Sequence, residues 1–102
     1  MLKAKAEIQF TLEGRNFRGG NKGTFRPIFN FGKDYLFTGA VKSPNEIYLY
    51  NKIYEVDIDF FTITDEALDT VRPLLKKDMD MAVQESSTKI IGIAKITDFI
   101  YA

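Results

Sequence analysis

The chain has 102 residues, 14 Lys/Arg against 14 Asp/Glu, and neither Cys nor His. This is the length of one domain, residues 1–102, able to bury a core without disulfides or metal, and its zero net charge sets up no global field toward nucleic acid or membrane. The missing Cys and His exclude a disulfide scaffold, a thiolate metal site and a Cys nucleophile, and remove the commonest general base and metal ligand.

Met1–Glu7 has no apolar run of the signal-peptide kind, and no window approaches the ~20 apolar residues of a membrane helix. A soluble, cytoplasmic protein is therefore expected. Lys5 to Leu12 alternates, with Ala6, Ile8, Phe10 and Leu12 on one face and Glu7, Gln9 and Thr11 on the other. That is the period of a half-buried strand. A glycine-rich basic loop follows, in which Gly14, Gly19, Gly20 and Gly23 are interspersed with Arg15, Arg18, Lys22 and Arg26. It concentrates the positive charge: residues 1–50 carry eight Lys/Arg against four Asp/Glu, whereas residues 51–102 carry six against ten.

Phe25, Phe29 and Phe31 alternate with Arg26, Ile28 and Asn30 in a second strand. Pro27 cannot donate to a ladder, so this end lies at an edge, an opening or a bulge. Gly32-Lys33-Asp34 reads as a turn. Tyr35, Phe37, Gly39 and Val41 set one face of a third strand, with Gly39 a bend where a curved sheet tightens. Ser43-Pro44-Asn45 turns the chain again. Glu46 to Tyr50 is a short aromatic strand, and Asn51-Lys52 a tight connection. The clearest alternation is Tyr54, Val56, Ile58 and Phe60 against Glu55, Asp57 and Asp59.

At Thr64 the period changes. Thr64-Asp65-Glu66 has the form of an N-cap followed by acids in the first turn. Ala67, Leu68, Val71, Leu74 and Leu75 follow at helical spacing, and Lys76 and Lys77 suit a helix C-terminus. Pro73 limits this to one or two turns. Met79, Met81 and Val83 restart the alternation, Glu85-Ser86-Ser87-Thr88 is a hairpin turn, and Ile90 to Ile96 returns, with Gly92 at a bulge or close contact. Six or so short antiparallel strands predict an all-β fold, a small closed antiparallel six-stranded β-barrel with a short helical insertion near 64–78. Glycines inside strands serve its tight curvature.

The order of these elements resembles the C-terminal β-barrel, the third domain, of translation elongation factor Tu, along most of the chain. Ala6-Glu7-Ile8-Gln9-Phe10 resembles that domain's first strand, and Gly14-Arg15 its Gly-Gly-Arg loop. Phe25-Arg26-Pro27-Ile28-Phe29-Asn30-Phe31 is similar to its aromatic-Arg-Pro-x-Phe-x-Phe strand, the most specific of the matches. Thr38-Gly39 resembles its Thr-Gly, Asn51 to Phe60 stands where the family has Gly-Asp and an alternating strand, and Met81 to Glu85 with Ile91 to Ala94 resembles its closing hairpin. The family's GTPase domain and second barrel have no counterpart here, and no Gly-rich Lys-Ser/Thr phosphate loop exists, so no GTP binding is expected. The Thr64 to Asp78 segment is longer than the family's turn, Ser86-Ser87 replaces the hairpin's Gly-Gly, and Ile28 stands where Gln is common.

In that family the barrel helps hold the T stem of aminoacyl-tRNA through phosphates and riboses. The resemblance implies Arg15 as a phosphate contact, Thr38 as a ribose or phosphate partner, and Glu85 at the hairpin tip. The residues themselves add Arg18, Lys22 and Arg26, a basic patch interleaved with Phe17 and Phe25. Backbone and 2′-OH contacts read double-stranded RNA, yet affinity follows the phosphates neutralised, and a handful of cations on a neutral protein predicts weak binding. The plain alternative is a solvated surface loop. The row Glu55, Asp57, Asp59 invites a metal or acid–base reading, against which stands the ordinary wet face of a strand. Phe61, Tyr48 and Tyr50, out of phase, are expected to pack under the 64–78 segment, with an exposed partner surface as the alternative.

Three functions follow. The first is a stand-alone, non-catalytic binding module for a protein partner. The second is an RNA- or tRNA-contacting accessory protein, and the third a small enzyme with an acidic site. The first is the expectation, with no cofactor and no metal.

Overall fold

The computed structural model describes residues 1–12, 16–18, 25–33, 35–42 and 47–101, without the side chains of Phe17 and Arg18. The alternating segments form β1 (Leu2–Phe10), β2 (Phe17–Arg18), β3 (Ile28–Asn30), β4 (Leu36–Thr38), β5 (Ala40–Lys42), β6 (Ile47–Tyr48), β7 (Ile53–Phe60), β8 (Met79–Gln84) and β9 (Ile90–Tyr101). Seven of these make one sheet in the order β4-β3-β8-β9-β1-β7-β5, and β2 pairs with β6 in a separate ribbon. Each pairing is antiparallel.

The two outermost strands, β4 and β5, are halves of one strand bent at Gly39. The first half pairs with β3 and the second with β7. Gly39 N–H donates to Pro27 O at 3.1 Å and Val41 N–H to Phe25 O at 2.9 Å, which carries the ladder past the bend. The sheet thus closes into a six-stranded barrel when the bent strand is counted once. Gly39 is buried at the corner because a Cβ there would lie 2.7 to 2.9 Å from the side chains of Ile58, Phe29 and Phe60. Regular pairing of β3 starts one residue past Pro27, whose missing N–H cannot enter it.

The inward phase is the one the alternation predicts. Leu2, Ala4, Ala6, Ile8 and Phe10 of β1 face Val56, Ile58 and Phe60 of β7 and Ala94 and Ile96 of β9, all buried. Small Ala4, Ala6 and Ala94 leave room for Phe29, Phe31 and Phe60, whose rings meet edge-on at 5.1 to 5.2 Å, the mix of sizes that fills a narrow barrel. At Gly92 a Cβ would run into the carbonyl oxygen of Gln9, so β9 can lie against β1 only without one.

A helix, α1 (Asp65–Val71), and a 3-10 turn (Arg72–Leu74) holding Pro73 interrupt the strands. Ile63, Val71 and Leu75 are buried with the barrel core. Thr64 sits at the N-cap in extended backbone, with no capping bond from its side chain. Lys76 and Lys77 fall beyond the helix, which has no basic residue in its last turn. Lys77 instead lies 3.6 Å from Asp98 of β9. Among the described residues no helix is long and apolar enough to cross a membrane.

Several expected bounds are corrected. β1 runs from Leu2 to Phe10 rather than Lys5 to Leu12, the strand expected from Phe25 pairs regularly only from Ile28, the one expected over Glu46 to Tyr50 is Ile47–Tyr48, and β9 continues to Tyr101 rather than ending at Ile96; a bulge between Lys5 and Ala6 breaks the phase of the later part of β9. Tyr48 does not pack under the 64–78 segment. It is buried against Phe10, Phe25 and Tyr54, with ring centroids 5.0 to 5.6 Å away. Tyr50 and Phe61 are exposed. The Ser43-Pro44-Asn45 turn lies outside the described residues.

Candidate functional site

Two stretches of the barrel's outer surface hold the candidate residues. On the first, β4, β3 and β8 place Thr38 and Gln84 on either side of Ile28. Arg26 stands just before β3 and Glu85 just after β8. Arg26 is exposed, its guanidinium over the ring of Phe61 at 5.1 Å. Thr38 is half-buried. Glu85 is exposed, pairs with Lys89 at 3.1 Å and donates its backbone N–H to Lys89 O at 2.9 Å. Buried Gln84 tightens the hairpin by donating to Ser86 O and Ser87 O at 3.0 and 3.2 Å. Arg15 and Lys22 lie outside the described residues. Arg18 is placed in β2 opposite Ile47 by its backbone alone.

The second stretch is the outer wall of β5, β7, β1 and β9. Glu55, Asp57 and Asp59 all point outward, as the alternation predicts, but lysines stand beside two of them. Lys5 is opposite Asp57 and Lys3 opposite Asp59 across the β1–β7 ladder, and Lys42 of β5 is opposite Asp57. Lys42 Nζ reaches Asp59 Oδ2 at 2.7 Å. The hydrogen bond and charge of Asp59 hold the Lys42 ammonium above its ordinary pKa of 10.5, with a smaller push from Asp57. This is a charge ladder on a strand surface, and among the described residues no three carboxylates converge as a metal ion requires.

The bulge beside Lys5 opens the wall into two shallow grooves. Thr97 Oγ1 donates to Lys5 O at 3.1 Å there. One groove, of about 260 Å³, runs over Ala4, Phe99 and Ile100 between Lys3 and Asp98. The other, of about 410 Å³, is lined by Glu7, Glu55 and Asp57 together with Lys5 and Lys42.

Next to the second groove is a feature that alternation did not reveal. Ile53 of β7 and Ile93 of β9 both pair with Gln9 of β1. They are 56% and 46% exposed; in β7 the other outward residues are the carboxylates Glu55, Asp57 and Asp59, while β9 also exposes Ile90 and Ile100 nearer its ends. Gln9 turns its amide away to Asn51, donating to its backbone O and Oδ1 at 3.1 and 2.8 Å. Asn51, with φ 63°, donates its N–H to Phe10 O at 2.8 Å, which ties the turn carrying exposed Leu49 and Tyr50 to this end of β1. In the sequence Ile53 and Ile93 read as ordinary strand formers. Only the register sets them two strands apart in one row.

No family model matches the chain, and no curated protein matches it.

Proposed function

We propose that this barrel is a non-catalytic binding module, similar in build to the C-terminal barrel of elongation factor Tu, and that it engages a protein partner through the outer wall of β7, β1 and β9. The observation that supports this reading is the exposed row of Ile53 and Ile93 beside the Glu7–Glu55 groove. Covering a fully exposed isoleucine contributes roughly 1.5–3 kcal/mol, and as these two are about half exposed, each offers a partner about half of that. The step from barrel to binding is by analogy, since one fold hosts many functions.

Affinity capture from native lysate, with and without nuclease, tests it. A partner retained in high salt and after nuclease, and lost when Ile53→Ser is combined with Ile93→Ser, is the expected result. Capture that disappears with nuclease overturns it. The second reading, RNA-backbone binding through Arg15, Arg18, Lys22 and Arg26, draws on the exposed Arg26 guanidinium stacked over Phe61, since arginine and aromatic surfaces also stack on unpaired bases. It predicts retardation of tRNA that fades steeply with salt and is lost in Arg15→Ala with Arg18→Ala.

A further inference from the structure

The nature of the protein partner follows from the chemistry around the isoleucine row, and the inference rests on the docking reading above. We infer that the occupant is a basic amphipathic helix of another protein, laid across β7, β1 and β9. Its apolar stripe covers Ile53 and Ile93, and its cations meet Glu55, Glu7 and Asp80.

The spacing fits a helix. Adjacent strands lie about 4.8 Å apart, so Ile53 and Ile93, two strands apart, are separated by about 10 Å. Residues i and i+7 of a helix lie about 10.5 Å apart on one face. One pleat along the strands runs a parallel polar row, Glu55 opposite Glu7, Glu7 opposite Lys95, and Lys95 opposite Asp80. That row is about 7 Å from the isoleucines, within the ~10 Å width of a helix, so flanking side chains reach it.

The charge selects the sign of the partner. Glu55 and Glu7 face each other directly across the ladder, an arrangement that destabilises a sheet. Among the described residues neither makes an ion pair within 4.0 Å. The row holds three carboxylates to one ammonium, and the groove of about 410 Å³ beside it is lined by Glu7, Glu55 and Asp57 against Lys5 and Lys42, of which Lys42 is already paired with Asp59. An acidic helix would be repelled.

Binding of synthetic peptides to the full chain tests this. The probe is a peptide of about 18 residues with Leu at helical spacing and Lys elsewhere. It is compared with a scrambled peptide of the same composition and with its Glu-for-Lys counterpart, by fluorescence anisotropy at physiological salt. The expected result is binding of the basic amphipathic peptide at least tenfold tighter than either control. Ile53→Ser with Ile93→Ser weakens it at least tenfold, and Glu7→Lys with Glu55→Lys does the same while admitting the acidic peptide. Circular dichroism melts confirm that these surface variants stay folded. Equal binding of the scrambled peptide, or indifference to either pair of substitutions, overturns the inference. Sedimentation as a dimer that Ile53→Ser dissociates would assign the wall to a second copy and also overturn it. If a lysate partner is lost with the isoleucine variants while no peptide binds, the docking wall stands and the helix falls. If neither responds, both fall.

Discussion

The wall of β7, β1 and β9 has two faces built from alternate residues of the same three strands, and they differ in what holds them. On the inside, Ile58, Ile8 and Ala94 are sealed from water. On the outside, Ile53 and Ile93 are apolar and wet, and a like-charge pair, Glu7 and Glu55, stands beside them. The inner face accounts for the fold. The outer face contributes less to it, and its exposed isoleucines are what the proposed docking rests on.

The contrast is sharpest where a core residue is emptied. Phe60→Ala should cost about 3–5 kcal/mol, because its ring is fully buried against Phe29 and Phe31; urea unfolding measures it. Gly92→Ala is expected to cost about 3 kcal/mol by overpacking, since the obstacle is the Gln9 backbone and neither strand can move without opening the ladder. Wild-type stability in that variant would show that β9 does not approach β1 as closely as described.

On the outer face the effects shrink and one changes sign. Glu55→Lys replaces a like-charge pair across the β1–β7 ladder with an opposite-charge one, and should stabilise the fold by roughly 0.2–1 kcal/mol. Ile93→Ser should shift stability by no more than about 0.5 kcal/mol, as exposed positions usually do; a loss as large as that of Phe60→Ala would make Ile93 a core residue and remove it from any docking surface. The smallest effect concerns Lys42. Its ammonium is held above the ordinary 10.5 by Asp59, so the pair's contribution is complete below that value and is lost as pH rises through the higher folded value. Unfolding followed into alkaline pH should show a slightly steeper fall in the native chain than in Asp59→Asn, and added salt should narrow the gap.

The fold was readable to the extent that its signals are local. In β7 the alternation of Tyr54, Val56, Ile58 and Phe60 with carboxylates marked both the strand and its inner face, and glycines at Gly39 and Gly92 marked the bend and the close approach. The start of β1 was hidden because Lys3 and Lys5 alternate with Leu2 and small Ala4, a weak contrast. The candidate site was less legible. Arg15 and Lys22 lie outside the described residues, and Tyr48, read as out of phase, belongs to the core against Phe10, Phe25 and Tyr54.

In β1 and β7 the sequence by itself determined which residues face inward, because side-chain direction in a strand repeats every two residues and needs no knowledge of the partner strand. It also determined the helical break after Thr64, where the period changes. Only the tertiary structure decided which strands are neighbours and in what register. Those depend on the bend at Gly39 and the bulge beside Lys5, and on them rest the alignment of Ile53 and Ile93 on either side of Gln9 and the meeting of Glu7 with Glu55.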